Sequence, residues 1–305
     1  MSETGFGTTS VNSDSQRTRL TVTPLAGRIG AVIEGVRLSA DLPSDIFSHI
    51  EDLLYKHKVI FFRGQQHLDE GGQEALGRRF GELVPHPTVP SLKGTSGVLD
   101  LDSARGTRAA SWHTDVTFVP DYPRISILRG VVIPAVGGDT AWANTATAYN
   151  DLPAPLRNLA DQLWAVHTNN HDYAARRSQV PDSAREYHRV FTSTSYRTLH
   201  PVVRKHPITG EANLVLGHFF QKFDGLNSSD SRHLFEILQS HITSLDNTVR
   251  WKWSEGDIAI WDNQATQHRA VDDYGSQPRI VRRVTVRGDV PVSLDGRSSR
   301  AVPVD

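Results

Sequence analysis

Residues 248 to 290, TVRWKWSEGDIAIWDNQATQHRAVDDYGSQPRIVRRVTVRGDV, decide the fold. Short runs rich in Val, Ile, Trp and Thr are separated by clusters of turn formers, so the stretch reads as consecutive β-strands. Its last turn, DDYGSQP, lets HRAV and RIVRRVTV pair as an antiparallel hairpin, with His268 on the strand next to Arg283. Along RIVRRVTV, Arg279, Val281 and Arg283 share one face and Ile280, Val284 and Val286 the other. If the Arg279 face points into a cleft, two guanidiniums there need anions. If it is the solvated side of an edge strand, they need none, and Arg282 and Arg287 in the same run show that some of these arginines must face water.

Upstream the pattern is mixed. RLTVTPLAGRIGAVIEGV alternates and carries Gly at its bends, which predicts a hairpin. SDIFSHIEDLLYKH (44 to 57) predicts a helix, with Ser44 as its cap and Ile46, Phe47, Ile50, Leu53 and Leu54 on one face. KVIFFRGQ reads as a buried strand, and QEALGRRFGEL as a second helix ending near Gly81. From Gly97 to Asn144 short β-prone runs are divided by Pro and Gly, with further helices expected near 153 to 164 and 229 to 243. Residues 167 to 200 are polar and poorly anchored, and so long a loop in a compact domain predicts a lid. The expectation is a polar, disordered tail over 1 to 18, then one domain over 19 to 305: mainly β, with helices packed outside.

Composition removes several classes of function. The chain of 305 residues has no cysteine, so disulfides, thiolate metal sites and cysteine nucleophiles are excluded. With formal net charge −1 and charges of both signs interleaved, no basic arm or face points to nucleic acid or to a membrane surface. No apolar run is long enough to span a bilayer, and the N-terminus lacks the apolar core of a signal peptide, so a cytoplasmic location is expected.

Chemistry enters at SWHTDVTF, residues 111 to 118. In an extended segment His113 and Asp115 project to the same side and can converge on one metal ion. On spacing alone the signal is weak, because H-x-D occurs by chance and is more often a surface or core-edge pair. Of fourteen histidines, His268 is the candidate third ligand because of the strands that adjoin it.

WHTDVTF, then GGDTAWANT with Thr140, then WDNQATQH followed by Arg279, resembles the taurine dioxygenase family of iron(II)- and 2-oxoglutarate-dependent dioxygenases over nearly the whole chain. The resemblance implies a double-stranded β-helix, a jelly roll with flanking helices. It implies that His113, Asp115 and His268 form a facial triad for Fe(II), leaving positions for the cosubstrate and O2. Thr140 and Arg279 would hold the distal carboxylate of 2-oxoglutarate. Arg283 would grip an anionic group of the substrate, assisted by His86 of VPHPTVP. Val116, beside the triad, and Phe219 and Phe220 of LVLGHFF are further candidate substrate contacts, although both phenylalanines could equally be core.

VPHPTVP and LVLGHFF, with WANTATAY and DDYGSQPRIVRRVT, look most similar to the alkylsulfatase dioxygenases. The expected reaction is therefore hydroxylation of the carbon bearing the sulfate ester of an alkyl sulfate, with release of aldehyde and sulfate alongside succinate and CO2. Taurine, another sulfonate or a carboxylate would suit Arg283 as well, and a noncatalytic jelly-roll sensor of 2-oxoglutarate or an anion is the reading from another class. The family also implies a homo-oligomer, a dimer or tetramer.

Overall fold

The computed structural model describes residues 20–105, 108–170 and 182–304. The expected tail over 1 to 18 lies outside them. The chain opens with the hairpin β1 (Thr21–Pro24) and β2 (Ala31–Glu34), then α1 (Ser44–His57), β3 (Val59–Phe62) and α2 (Glu70–Phe80). Next come β4 (Leu99–Asp102), β5 (Ile125–Val132), β6 (Thr140–Asn144), α3 (Thr145–Asn150), α4 (Ala154–Ala160) and β7 (Trp164–Thr168). They are followed by α5 (Asp182–Phe191), β8 (Arg197–Pro201), β9 (Val203–Lys205), β10 (Ala212–Leu214), β11 (Phe220–Phe223) and α6 (Ser228–Ile242). The chain closes with β12 (Thr248–Trp251), β13 (Ile258–Asp262), β14 (Thr266–Ala270), β15 (Ile280–Val286), β16 (Val292–Ser293) and β17 (Arg300–Ala301).

Two sheets carry the architecture. The major one has the order β1-β2-β3-β13-β5-β15-β4, and the minor one that faces it has the order β12-β6-β14. Two smaller sheets have the orders β11-β7-β8-β17 and β10-β9-β16, and Ala165, Val203, Leu214 and Phe223 on their strands share a core with Ala143 of β6. Between the two facing sheets lie Phe61, Trp142, Trp251, Trp261 and Val281, with Phe61 stacked on Trp251 at a ring separation of 4.3 Å. The other face of the major sheet (Ile60, Phe62, Ile127, Ile258, Val284 and Val286) is covered by Phe47, Ile50, Leu76 and Phe80 of α1 and α2. β3 is buried along its whole length because both of its faces are covered. Behind the minor sheet, Ala143 meets Ala148 of α3 and Leu238 and Ile242 of α6. This is the expected double-stranded β-helix with helices outside.

Three expectations need correction. His268 and Arg283 do not share a hairpin. β14 pairs with β6, with His268 opposite Trp142, whereas β15 lies between β5 and β4, with Arg283 opposite Leu128 and Leu99. Consecutive strands β12 to β15 alternate between minor and major sheets, which lets each sheet bury one apolar face against the other. Second, Ser44 begins α1 but does not cap it; Pro43 holds the cap position and no side chain bonds there. Third, the stretch 167 to 200 is not a single lid. His167 and Thr168 end β7, residues 197 to 200 belong to β8, and β7 pairs with both β8 and β11. Residues 171 to 181 lie outside the described residues.

Candidate metal centre and anion pocket

His113 enters the site through the sheet. Its amide donates to the His268 carbonyl (3.0 Å) and the His268 amide donates to the His113 carbonyl (2.8 Å), a one-residue antiparallel bridge that sets His113 beside β14. The chain then departs from the extended form that the i, i+2 spacing suggested. Residues 115 to 118 form a turn, and Val116 takes a left-handed backbone with φ of 61°. That conformation costs a β-branched residue roughly 1 to 3 kcal/mol. His113 and Asp115 therefore converge through a turn, not along a strand.

The turn is tied to the β13–β14 connection. Thr114 Oγ1 donates to the Thr266 carbonyl (2.8 Å), and the Asp115 amide donates to Asn263 Oδ1 (2.9 Å). Ser126 Oγ on β5 donates to Asp115 Oδ2 (2.8 Å), which leaves Oδ1 to face the two imidazoles. His113 Nε2 stands 3.6 Å and His268 Nε2 3.7 Å from that oxygen, and one ligand atom from each residue lies within 4.8 Å of the others. Because His113 Nδ1 lies 2.8 Å from the Ser111 carbonyl, which can only accept, Nδ1 carries the proton and Nε2 offers its lone pair to the cluster.

Two imidazoles and one carboxylate, all buried, fit a first-row divalent ion. Ligand atoms held about 2.1 Å from one ion stand roughly 3 Å apart at right angles, close to the spacing here. Such a set occupies one side of the ion and leaves positions for other ligands. Burial would push the Asp115 carboxyl up, but Arg283 and the two histidines outweigh it and hold the group well below the usual carboxylate range. Burial and the neighbouring His113 push His268 well below its ordinary value, so it is neutral and able to ligate.

The same cavity holds both predicted arginines. Arg279 and Arg283 are 6% and 8% exposed, which excludes a solvated edge for their face of β15. Arg282, on the other face, pairs instead with Glu70 and Asp100. Arg279 is aimed by Nε donating to the Gly138 carbonyl (2.8 Å) and Nη2 to Thr140 Oγ1 (3.3 Å), and Thr140 Oγ1 also accepts from Trp253 Nε1 (3.0 Å). Among the described residues no carboxylate forms an ion pair with Arg279, and burial lowers its pKa. Arg283 Nη1 bonds Asp115 Oδ1, while its Nε is buried with no partner among the described residues. His86 Nδ1 accepts from the amides of Val89 (3.0 Å) and Thr88 (3.3 Å). Burial, then Arg283, pushes the His86 pKa down to about 3, so the ring is neutral and its one proton sits on Nε2.

Val116 and Phe219 line this cavity as expected. Phe220 does not. It stacks on Phe235 (4.6 Å between rings) and packs against Phe223, on the far side of the strand. Phe219 lies in the turn that precedes β11, closed by the Phe220 amide donating to the Gly217 carbonyl (3.0 Å), and this turn sends the two rings to different sides. Tyr187 and Phe191 of α5 line the cavity too and were not anticipated, because the polar composition of that stretch hides its few inward residues. Asn263 and Ser126, which orient Asp115, were also missed. Asn263 stands inside the WDNQATQH motif, while nothing local marks Ser126.

Comparison with known proteins agrees with this geometry. The family described as "Taurine catabolism dioxygenase TauD, TfdA family" matches residues 21–285. The chain belongs to this family. An alpha-ketoglutarate-dependent sulfate ester dioxygenase of Pseudomonas putida is 61% identical over 92% of this chain and 94% of its own length. An alkylsulfatase of Acinetobacter baylyi is 52% identical over 98% of this chain and 94% of its own. The crystal structure of a taurine dioxygenase from Burkholderia xenovorans superposes with a TM-score of 0.79 at 38% identity, covering 94% and 95% of the two chains.

Proposed function

We propose that the protein is an iron(II)- and 2-oxoglutarate-dependent dioxygenase of alkyl sulfates. It oxidises the carbon bearing the sulfate ester, with release of aldehyde, inorganic sulfate, succinate and carbon dioxide. His113, Asp115 and His268 would hold the metal. Arg279, steadied by Gly138 and Thr140, would take the distal carboxylate of 2-oxoglutarate as a planar, permanently charged fork. Arg283 and the Nε2–H of His86 would hold the sulfate, with Val116 and Phe219 beside them.

The observation that carries this reading is the charge of a single cavity. Two guanidiniums face one carboxylate, and its histidines are available as neutral ligands or donors, so the protein leaves one net positive charge. A divalent cation raises that to three. A dianionic 2-oxoglutarate and a monoanionic sulfate ester cancel it, whereas zwitterionic taurine would leave a buried charge and an ammonium without a carboxylate of its own. A carboxylate substrate satisfies the same balance; the names of the Pseudomonas and Acinetobacter relatives favour the sulfate ester.

When bound, the iron couples decarboxylation of 2-oxoglutarate to oxidation of one C–H bond by O2. The chain's own residues do the positioning. Arg283 and His86 fix the ester's anion and so present the adjoining carbon to the triad, while Phe219, Phe191 and Tyr187 exclude water around it. Hydroxylation of that carbon leaves a hydroxyl and a sulfate on one atom. The C–O bond to sulfate breaks, the hydroxyl proton is lost, and aldehyde and sulfate separate. The test is succinate formation with iron(II), 2-oxoglutarate and a panel of alkyl sulfates, taurine and aryloxyalkanoates. Medium-chain alkyl sulfates should be the best substrates; a preference for taurine, or no sulfate from any ester, would overturn the substrate assignment.

A further inference from the structure

The triad's carboxylate sits on a strained turn, and one side chain holds the backbone of Asp115 on both sides. Asn263 is fully buried in the β13–β14 connection and spends its whole amide on the opposite segment. Its Oδ1 accepts from the Asp115 amide (2.9 Å), and its Nδ2 donates to the Asp115 carbonyl (3.3 Å) and to the Pro123 carbonyl (2.7 Å). It thus grips both ends of the residue that precedes left-handed Val116. Through Pro123 it also fixes the start of β5, which carries Ser126 and that residue's bond to Asp115 Oδ2. Asn263 is itself held in place by its amide bond to the Arg124 carbonyl (2.9 Å).

The other ties between the two segments act elsewhere. The His113–His268 bridge and the Thr114 hydroxyl fix the chain before Asp115, and neither restrains the torsions on either side of it. Beyond Val116 the chain is held by the Val119 amide donating to the Val116 carbonyl (3.1 Å) and by Thr198 Oγ1 donating to the Phe118 carbonyl (2.7 Å). At Asp115 itself it is Asn263 that holds both the amide and the carbonyl, and without it the left-handed step to Val116 could relax and swing the carboxylate off the two imidazoles.

We propose that Asn263 is a positioning residue for the metal site: it holds the Asp115–Val116 turn in its strained form and thereby sets metal affinity. The proposal rests on the reading of His113, Asp115 and His268 as metal ligands. Residues that orient metal ligands typically change affinity by about 10- to 100-fold when altered.

The test is cobalt(II) titration of the intact protein, followed by its visible absorption. Asn263→Ala should weaken cobalt binding by at least about tenfold. Adding Val116→Gly should recover much of that loss, because glycine adopts the left-handed conformation without a brace. A purely structural role for Asn263 predicts the opposite, since a second core deletion would only loosen the fold further. If Asn263→Ala does not fold, Asn263→Asp keeps the shape and the acceptor but loses both donated bonds, and should show the same weakening. Unchanged affinity in the folded variant, or no recovery in the double variant, overturns the proposal while leaving the metal reading intact. Cobalt uptake that His113→Ala does not diminish overturns the metal reading and the proposal together.

Discussion

At the scale of single residues, the site pairs Arg283 with Asp115 and leaves Arg279 without an ion pair among the described residues. Arg279 is buried and aimed, with no carboxylate ion-paired to it among the described residues, so its ligand should supply the missing charge. Arg279→Ala should raise the dissociation constant for 2-oxoglutarate by over a hundredfold, about 3 to 5 kcal/mol; an unchanged constant in anaerobic titration would remove it from that role. Arg283→Ala should instead spare 2-oxoglutarate binding and impair sulfate-ester-coupled turnover. Equal losses in both would mean that the two arginines do not divide the work. His113, Asp115, His268 and both arginines were legible as residues, because chemistry needs those types and the family resemblance fixed which copies. Asn263 and Ser126 were not legible, because an amide or hydroxyl that orients a ligand carries no spacing of its own.

At the scale of elements, periodicity was reliable where one face is buried. The helix over 44 to 57 has the predicted bounds and buries Phe47, Ile50, Leu53 and Leu54 of its predicted face, and β3 is the buried centre of the run KVIFFRGQ, since their side chains alone decide which way they face. Pairing was less legible: HRAV and RIVRRVTV look like a hairpin locally, but two facing sheets bury more apolar surface by separating them. The turn that parts Phe219 from Phe220 also makes a prediction. Phe219→Ala should shift the preferred alkyl chain length, and Phe220→Ala should leave it unchanged; matched shifts in kcat/KM across a chain-length series would contradict the placement.

β7 and β8 bring a further, pH-dependent prediction. His200 Nε2 lies 2.7 Å from the Thr117 carbonyl and Nδ1 2.7 Å from the Ser299 hydroxyl, an arrangement satisfied by a neutral ring. Burial pushes its pKa down to about 3, and pushes His167 well below its ordinary value. The unfolded chain takes up these protons near pH 6.5 and the folded one does not, so the unfolded state binds more protons in acid. Stability should be complete above about pH 6.5 and fall as pH drops toward 3, by up to about 1.4 kcal/mol per pH unit for each such histidine. Urea midpoints between pH 7.5 and 5 measure this, and a flat profile would contradict the neutral assignment.

At the scale of the whole molecule, two sheets sandwich a cavity whose apolar wall is completed by α5, and the described residues contain no helix long and apolar enough to cross a membrane. Because Tyr187 and Phe191 line the cavity, amide exchange in the described part of α5 should slow when 2-oxoglutarate and an alkyl sulfate are added without oxygen. Exchange indifferent to both ligands would make this helix a fixed wall. Oxidation of the carbon carrying the ester and hydrolysis of the ester leave different isotopic products. The most direct measurement uses an alkyl sulfate with two deuteriums on that carbon, incubated with iron(II), 2-oxoglutarate and oxygen. Oxidation at that carbon should give aldehyde with a single deuterium, and sulfate equal to the succinate formed. Alcohol retaining both deuteriums, with sulfate released independently of 2-oxoglutarate, would contradict it.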